Sequence, residues 1–150
     1  MLFRSSTGQW FLDTNGNGVF DAGDVVTNYG GLAGDIPVTG DWTGSGTTKI
    51  GLFRAGFLWI LDTNGNGTFD AADAVFAYGS PTGGIIGGTP DVPVVGDWNG
   101  DGRAKVGVFR LGFFWVLDTN GDKVFTAGEQ AFPFGGLPGD IPVVGKWRKP

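Results

Sequence analysis

The sequence predicts an all-β protein built from repeated four-stranded units, and three observations predict it: the glycine content, the aromatic content and an internal repeat. Glycine takes 30 of the 150 positions and proline another 8, which favours turns and strands over helices. The 13 Phe, 6 Trp and 2 Tyr residues give the chain more apolar surface than disordered chains carry. A chain of 150 residues is long enough for one domain with its own core.

Three markers recur in the same order and divide the domain 1–150 into three units. The string Leu-Asp-Thr-Asn-Gly begins at Leu12, Leu61 and Leu117, at spacings of 49 and 56 residues. A second string, Asp-Ile/Val-Pro-Val-Thr/Val-Gly, begins at Asp35, Asp91 and Asp140. A third string, Leu/Val-Phe-Arg, ends at Arg4, Arg54 and Arg110. The longer spacing comes from one insertion within residues 80–90, so each unit is about 50 residues long.

Each unit is predicted to be an antiparallel meander of four short strands. In the second unit we expect strands at residues 37–42, 49–54, 57–62 and 74–78. In the third of these strands, Trp59 and Leu61 point to one side and Leu58 and Ile60 to the other, so both faces are apolar. A sheet packed between two others has this pattern, which predicts a β-propeller with three blades per chain. A β-trefoil, which also has three units of four strands, is the alternative.

The units are circularly offset along the chain. Residues 2–4 align with the second strand of a unit, and residues 142–147 align with the first strand. We expect strand 142–147 to complete the blade begun at 2–4, in the same chain or in a neighbouring copy. Propellers usually have four to eight blades, so we predict a homodimer with six blades or a piece of a longer array.

Composition excludes several classes of function. Cys and His are absent, which removes disulfides, thiolate or imidazole zinc sites and Ser-His-Asp chemistry. The net charge of −5 and the lack of a basic run argue against nucleic acid as a partner. No apolar stretch approaches the roughly 20 residues of a membrane helix, so membrane insertion is not expected. Residues 1–6 also lack the apolar run of a secretion signal.

Each unit contains a twelve-residue loop that predicts a calcium site. Residues 13–24 and 62–73 both fit the pattern D-x-N-x-N-G-x-h-D-x-x-D, where h is apolar. Calcium is bound in such loops by side-chain oxygens at positions 1, 3, 5, 9 and 12 and by the backbone carbonyl at position 7. The predicted ligands are Asp13, Asn15, Asn17, Val19, Asp21, Asp24, Asp62, Asn64, Asn66, Thr68, Asp70, Asp73, Asp118, Asn120, Asp122, Val124 and Glu129. The alternative is that the Asp-Asn-Gly clusters only form turns.

The third loop, residues 118–129, departs from the pattern at two positions. Lys123 replaces the turn glycine and would place a cation beside the site, and Thr126 replaces the acid at position 9. Glu129 at position 12 is long enough to bind an ion through both oxygens, which would offset part of the loss. We therefore expect a weaker third site.

A second family of Asp loops follows the first strand of two units, at residues 41–49 and 97–105. Position 9 of both loops is a lysine, Lys49 or Lys105. Its ammonium group could neutralise the Asp cluster at the place where a metal would otherwise lie. These loops are therefore predicted to be metal-free structural turns.

Residues 93–110 and their counterpart 37–54 resemble the FG-GAP/VCBS-like repeats of bacteria, which are similar to the blades of integrin α-chain propellers. The resemblance extends over all three units. It implies a β-propeller on a secreted or surface protein used in adhesion, with calcium in D-x-D/N-x-D-G loops. That family loop maps onto Asp97, Asn99 and Asp101, where Lys105 occupies the ninth position, which is normally acidic.

The leading functional hypothesis is a non-enzymatic, calcium-binding propeller module of a bacterial extracellular or cell-surface protein, with a structural or adhesive role and a protein or glycan ligand. The alternative is a lectin-like carbohydrate-binding module that uses aromatic platforms. All six tryptophans lie at repeat positions in strands that are predicted to be buried, which argues for core packing instead. A glycosidase is not favoured, because the acids occupy repeat or turn positions and no asymmetric pair stands out.

Overall fold

The computed structural model describes residues 1–85, 88–137 and 139–146. These residues form eleven strands and no α-helix. The strands are β1 (Leu2–Arg4), β2 (Gln9–Leu12), β3 (Val25–Asn28), β4 (Ile36–Gly40), β5 (Lys49–Arg54), β6 (Leu58–Leu61), β7 (Ala74–Ala77), β8 (Val92–Gly96), β9 (Lys105–Arg110), β10 (Phe114–Leu117) and β11 (Gln130–Pro133). They make three antiparallel sheets: a first sheet β1–β2–β3, a second sheet β4–β5–β6–β7 and a third sheet β8–β9–β10–β11.

The predicted all-β class and the four-stranded antiparallel meander of the second unit are confirmed. The four strands of that unit agree with the predicted ranges to within two residues at every end. The tight β5–β6 turn depends on Ala55 and Gly56, which both have positive φ, 55° and 79°. Two successive positive φ values are typical of hairpin turns whose twist matches that of the flanking strands.

Consecutive sheets pack face to face. Trp59 and Phe53 of the second sheet are buried against Val106 and Val108 of the third sheet. On its other side, the second sheet packs Ile50, Leu52 and Ile60 against Trp10 and Tyr29 of the first unit. The second sheet is therefore apolar on both faces, as its alternating pattern predicts.

The tryptophans fix each sheet internally as well as filling the core. The indole Nε1 of Trp10 donates to the carbonyl of Tyr29, 19 residues along the chain, at 3.0 Å. Trp59 donates in the same way to Tyr78 at 2.8 Å, and Trp115 to Phe134 at 3.0 Å. A buried indole N–H needs such an acceptor, so these rings have a packing role in each unit.

Two Asp–Arg pairs join the start of a sheet to its second strand. Arg54 Nε lies 2.6 Å from Asp35 Oδ1, and Arg110 Nη2 lies 2.7 Å from Asp91 Oδ2. Burial alone would raise the pKa of Asp35, but hydrogen bonds from Arg54 and from the Leu32 and Gly31 N–H groups outweigh it and lower that pKa. Arg54 and Arg110, the recurring arginines of the second and third units, therefore form structural salt bridges.

Residues 142–146 lie outside the strands of the structure, and Trp147 lies outside the described residues. That residues 142–147 complete the first unit thus stays a prediction. In the ranges that the structure describes, no helix has the length and apolar character that crossing a bilayer requires.

Candidate metal centres

The three twelve-residue loops occupy the same place in each unit, between the third and fourth repeat strands. They connect β2 to β3, β6 to β7 and β10 to β11. The flanking residues are antiparallel partners: Leu12 opposes Val25, Leu61 opposes Ala74, and Leu117 opposes Gln130. Because strand pairing holds both ends together, the loop must turn back on itself, which brings its polar side chains close to one another.

The first aspartate of each loop organises the turn. Asp62 is buried, and its two carboxylate oxygens accept the N–H groups of Gly65 at 2.7 Å and Gly67 at 2.8 Å. Asp13 does the same with Gly16 and Gly18, and Asp118 with Gly121 and Lys123. The backbone at positions 4 and 6 is thereby folded around the carboxylate in all three loops.

The side chains at positions 3 and 5 continue the same pattern toward position 7. In the second loop, Asn64 Oδ1 accepts the N–H of Asn66 at 3.0 Å, and Asn66 Oδ1 accepts the N–H of Thr68 at 2.7 Å. The corresponding bonds in the other loops lead to Val19 and Val124. The residues at position 7, Val19, Thr68 and Val124, are thus fixed through their backbone N–H groups. The predicted ligand at this position is the backbone carbonyl and not the side chain.

The acids at positions 9 and 12 close the first two loops. Asn15 and Asn17 donate to the two oxygens of Asp21 at 3.1 and 2.8 Å. The N–H of Gly23 lowers the pKa of Asp21, and the Asn17 amide lowers it further. Asp24 accepts N–H groups from both ends of the loop, at Thr14 and Asp21.

The second loop repeats these closing contacts. Asn66 donates to Asp70 at 2.7 Å and Asn64 at 3.2 Å, while Asp73 accepts the N–H groups of Thr63 and Asp70. The N–H of Ala72 lowers the pKa of Asp70, followed by the Asn66 amide. Both loops therefore bring the side chains at positions 3, 5 and 9 within hydrogen-bonding distance of one another, with the amide nitrogens of the asparagines facing the carboxylate at position 9.

The third loop gathers its carboxylates more tightly than the other two. Oxygens of Asp118, Asp122 and Glu129 all lie within 4.8 Å of one another, and within the described ranges no other three acids do so. Burial raises the pKa of Glu129, and its proximity to Asp118 and Asp122 adds to that effect. A divalent cation among hard carboxylate oxygens would relieve this repulsion, so the donor set fits calcium.

That Lys123 weakens the third site by placing a cation beside it stays a prediction, and the structure shows where the side chain lies. Lys123 does adopt a positive φ of 68° at the turn position, but its ammonium lies over the ring of Phe76, 5.0 Å from the centroid. It forms no ion pair within 4.0 Å among the residues that the structure describes. The ammonium thus contacts an aromatic face of the second sheet. Lys123, Phe76 and Asp118 line the same cavity, so the charge is still near the third loop.

The second family of Asp loops differs in having a cation built into it. Lys105 Nζ lies 2.6 Å from Asn99 Oδ1, 2.6 Å from Asp101 Oδ1 and 3.5 Å from Asp97 Oδ1. Lys49 Nζ takes the same position in the other loop, 2.7 Å from Ser45 Oγ and 3.6 Å from Asp41 Oδ1. The ammonium groups are where the sequence predicts them, among the oxygens that would otherwise face an ion.

Contacts to the preceding sheet are a feature that the sequence reasoning missed. Tyr29 of the first unit donates through its hydroxyl to Asp73 Oδ2 at 3.2 Å, and Thr27 donates to the carbonyl of Gly67 at 2.6 Å. The second loop is thus tied to the first sheet at two points. The recurrence of Tyr29 as Tyr78 was the available signal.

Tyr78 occupies the repeat position of Tyr29 and lies beside the third loop. Burial raises its pKa, and the charges of Glu129 and Asp118 raise it further. Tyr78 lines a cavity together with Lys123, Val124 and Phe125 of the third loop. In the described part of the chain, the buried hydroxyl of Tyr78 has no hydrogen-bond partner. The third loop therefore has both clustered carboxylates and an unused donor facing the same region.

Comparisons with family models, with curated proteins and with solved structures find no match for this chain. The resemblance to FG-GAP/VCBS-like repeats thus stays a prediction from the motifs.

Proposed function

We propose that the chain is a non-enzymatic, calcium-binding β-propeller module with a structural or adhesive role in a bacterial extracellular protein. The observation that carries the proposal is the recurrence of one loop with the same hydrogen-bonded geometry in all three units, at residues 13–24, 62–73 and 118–129. The extracellular setting and the adhesive role rest on the motif resemblance. Calcium at millimolar concentration, as outside cells, would fill even weak loops of this type.

The stacking of the sheets supports the propeller architecture. Each sheet is an antiparallel meander, and consecutive sheets are packed through their faces by apolar residues. The first strands of the two four-stranded sheets, β4 and β8, also contact each other. Contacts along the first strands together with face-to-face packing are what blades around a common axis would make, so they support the proposal.

The donor chemistry supports calcium over a softer metal. The predicted ligands are carboxylate, amide and carbonyl oxygens, and the chain has no Cys or His to offer sulfur or nitrogen. Nine of the fifteen acids lie in the three loops, so three divalent ions would change the formal charge from −5 to +1. Ion binding would remove the mutual repulsion of acids that folding has brought together.

The contacts of the loops indicate what the ion would do mechanically. Asp73 binds the Tyr29 hydroxyl of the preceding unit, and Lys123 of the third loop lies on Phe76 of the second sheet. A loop made rigid by an ion would therefore hold adjacent sheets together. The free energy of ion binding would also offset the conformational entropy that long glycine-rich connections lose on folding.

The aromatic residues support a structural role over a lectin. Trp10 and Trp59 are buried, and their indole N–H groups are used on backbone carbonyls. Trp42 and Trp98 likewise donate to the carbonyls of Ile50 and Val106. A ring that is committed to the core in this way does not present a platform for sugar stacking.

Thermal unfolding in calcium, in magnesium and in excess chelator tests the proposal. A site filled at 100 to 1,000 times its dissociation constant adds about 3 to 4 kcal/mol, so calcium should raise Tm by several degrees. Asp118→Asn should reduce that shift. The matched control is Asp97→Asn in a lysine-containing loop, which should leave the calcium-dependent part of the shift intact.

Two results would contradict the proposal. One is equal Tm values in calcium and in chelator. The other is an equal loss of the calcium-dependent shift in Asp118→Asn and Asp97→Asn, because a general charge effect would not distinguish the two families of loops. Magnesium giving the full shift would argue against the larger, flexible oxygen cage that calcium prefers.

A further inference from the structure

The first sheet exposes a face whose counterparts in the other sheets are buried. Leu52 and Val108 occupy one repeat position and are 1% and 0% exposed, because each faces the preceding sheet. Leu2 occupies the same position in the first sheet and is 55% exposed. An apolar side chain that is fully covered in two repeats and open in the third indicates a missing neighbour on that side.

The third sheet shows the complementary feature at the other end of the stack. Tyr29 and Tyr78, 1% and 5% exposed, are buried against the sheet that follows them. Phe134 is the corresponding residue of the third unit and is 75% exposed. The two ends therefore present the two halves of the packing that already joins the first sheet to the second and the second to the third.

The repeated Asp–Arg ion pair has its third Asp and its third Arg at opposite ends of the stack of sheets. Asp35 pairs with Arg54 and Asp91 with Arg110, in both cases across 19 residues. The remaining members of the two series are Asp140 and Arg4. Among the described residues, Asp140 accepts the N–H groups of Gly136 and Leu137 and has no basic side chain within 4.0 Å. Arg4 donates to Gln9 Oε1 and has no carboxylate within 4.0 Å in the same ranges.

The first sheet lacks the strand that these residues would bring. In the second sheet, β4 lies beside β5 with Ile36 opposite Phe53 and Pro37 opposite Leu52. In the first sheet, β1 is an edge, and residues 141–146 repeat the β4 sequence without pairing to any described strand. Val143, the counterpart of the buried Val38 and Val94, is exposed.

We propose that a second copy of this chain supplies the missing strand: residues 141–146 of one copy pair with β1 of the other, and Asp140 of one copy pairs with Arg4 of the other. The register follows β4–β5, with Ile141 opposite Phe3 and Pro142 opposite Leu2. Both copies donate and receive, so a two-fold rotation makes two equivalent junctions and closes the assembly. Two copies give six sheets, within the usual four to eight, whereas one gives three and three give nine.

This inference rests on the propeller architecture of the proposed function but uses none of the calcium ligands. The 150-residue chain should therefore have twice its mass of 15.7 kDa by native mass spectrometry and light scattering, in calcium and in chelator alike. A dimer that binds no calcium would leave the inference standing and overturn the calcium proposal. A monomer that binds calcium would do the reverse.

Charge reversal tests the split pair. Arg4→Asp and Asp140→Arg should each weaken the dimer at least tenfold, because each places like charges opposite one another. The double variant should recover most of that loss. Arg103→Asp, on an exposed loop away from both ends, is the matched control and should leave the dimerisation constant unchanged.

Folding of each variant is checked by near-ultraviolet circular dichroism, since neither Arg4 nor Asp140 has an ion-pair partner among the residues that the structure describes. Leu2→Asp is the second probe: its side chain is exposed in a single copy, so the variant should fold and fail to dimerise. A single-chain mass for the unchanged protein, a mass of three copies, or a dimer indifferent to both charge reversals would overturn the inference.

Discussion

The two families of aspartate loops share the same construction at their first aspartate and differ in the charge at position 9. In both families the first aspartate accepts backbone N–H groups from the turn, as Asp97 does from Gly100 and Gly102 and Asp62 from Gly65 and Gly67. The difference lies at position 9. Lys105 places an ammonium among the oxygens of its loop, whereas Asp70 adds a further carboxylate to its own.

The comparison shows two solutions to one electrostatic problem. A turn built on several inward-facing oxygens needs a positive charge, which can be attached to the chain or taken from solution. The attached cation makes the lysine-containing loop independent of dissolved metal ions, whereas under the proposed function the twelve-residue loop depends on one. The chain thus carries its own internal control for the calcium proposal.

The largest effect is expected from converting one family into the other with Lys105→Asp. The variant places an unpaired carboxylate where the Lys105 side chain is buried, so in chelator it should lose about 3 kcal/mol of unfolding free energy. The new loop has an acid at position 9, so calcium should restore much of that loss and bind with one additional site per chain. Urea unfolding and isothermal titration calorimetry measure the two quantities. A variant that is destabilised but gains no calcium site would break the comparison.

Much of this division could be predicted from the sequence, and the exceptions have physical causes. The position of the Lys105 ammonium follows from its spacing after Asp97, because a loop of fixed length determines where position 9 lies. The strands of the second unit follow from alternating apolar residues between turn residues. Such local patterns report local geometry well.

Long-range contacts could not be derived in the same way. The destination of the Lys123 ammonium depends on Phe76, 47 residues earlier and on another sheet. The hydrogen bond of Tyr29 to Asp73 likewise joins two units. Sequence spacing contains no information on which sheet faces which, so these contacts became visible only with the fold.

The buried first aspartate should matter even without an ion. Asp62→Ala leaves the N–H groups of Gly65 and Gly67 without their acceptor, so the variant in chelator should lose about 1 to 3 kcal/mol of unfolding free energy. Asp13→Ala is the matched change at a more exposed position and should cost less, because water can replace the carboxylate there. Urea unfolding of both variants in chelator measures the difference. Equal costs would mean that burial of the first aspartate is unimportant.

The pKa of Asp101 tests the role of the Lys105 ammonium in the loop 97–105. The Lys105 ammonium lowers the pKa of Asp101 to about 2, below its usual value of about 3.9. A lowered pKa means that the contribution of Asp101 to stability is complete above about pH 4 and is lost as the pH falls toward 2. NMR titration of the Asp101 carboxyl carbon measures the value directly. In Lys105→Met the pKa should rise toward the usual range, and an unchanged pKa would show that the ammonium is not its cause.

The smallest effect is expected from Lys123→Gly. Glycine adopts the positive φ at this position without strain, while the loss of the contact with Phe76 removes about 0.5 to 1 kcal/mol, so the two changes nearly cancel. Calcium affinity of the third loop should rise by no more than about threefold, because Lys123 forms no ion pair within 4.0 Å among the described residues and its remaining repulsion of the ion is screened by salt. Calorimetric titration tests this. A tenfold gain in affinity would place the lysine charge beside the ion after all.

The most direct test is a crystal structure of the chain grown in calcium, with an anomalous difference map recorded at long wavelength. We expect peaks within the loops 13–24, 62–73 and 118–129, and none beside Lys49 Nζ or Lys105 Nζ. Peaks in the lysine-containing loops, or twelve-residue loops that hold only water at millimolar calcium, would contradict the account. That account has lysine supplying the positive charge in one family of loops and calcium supplying it in the other.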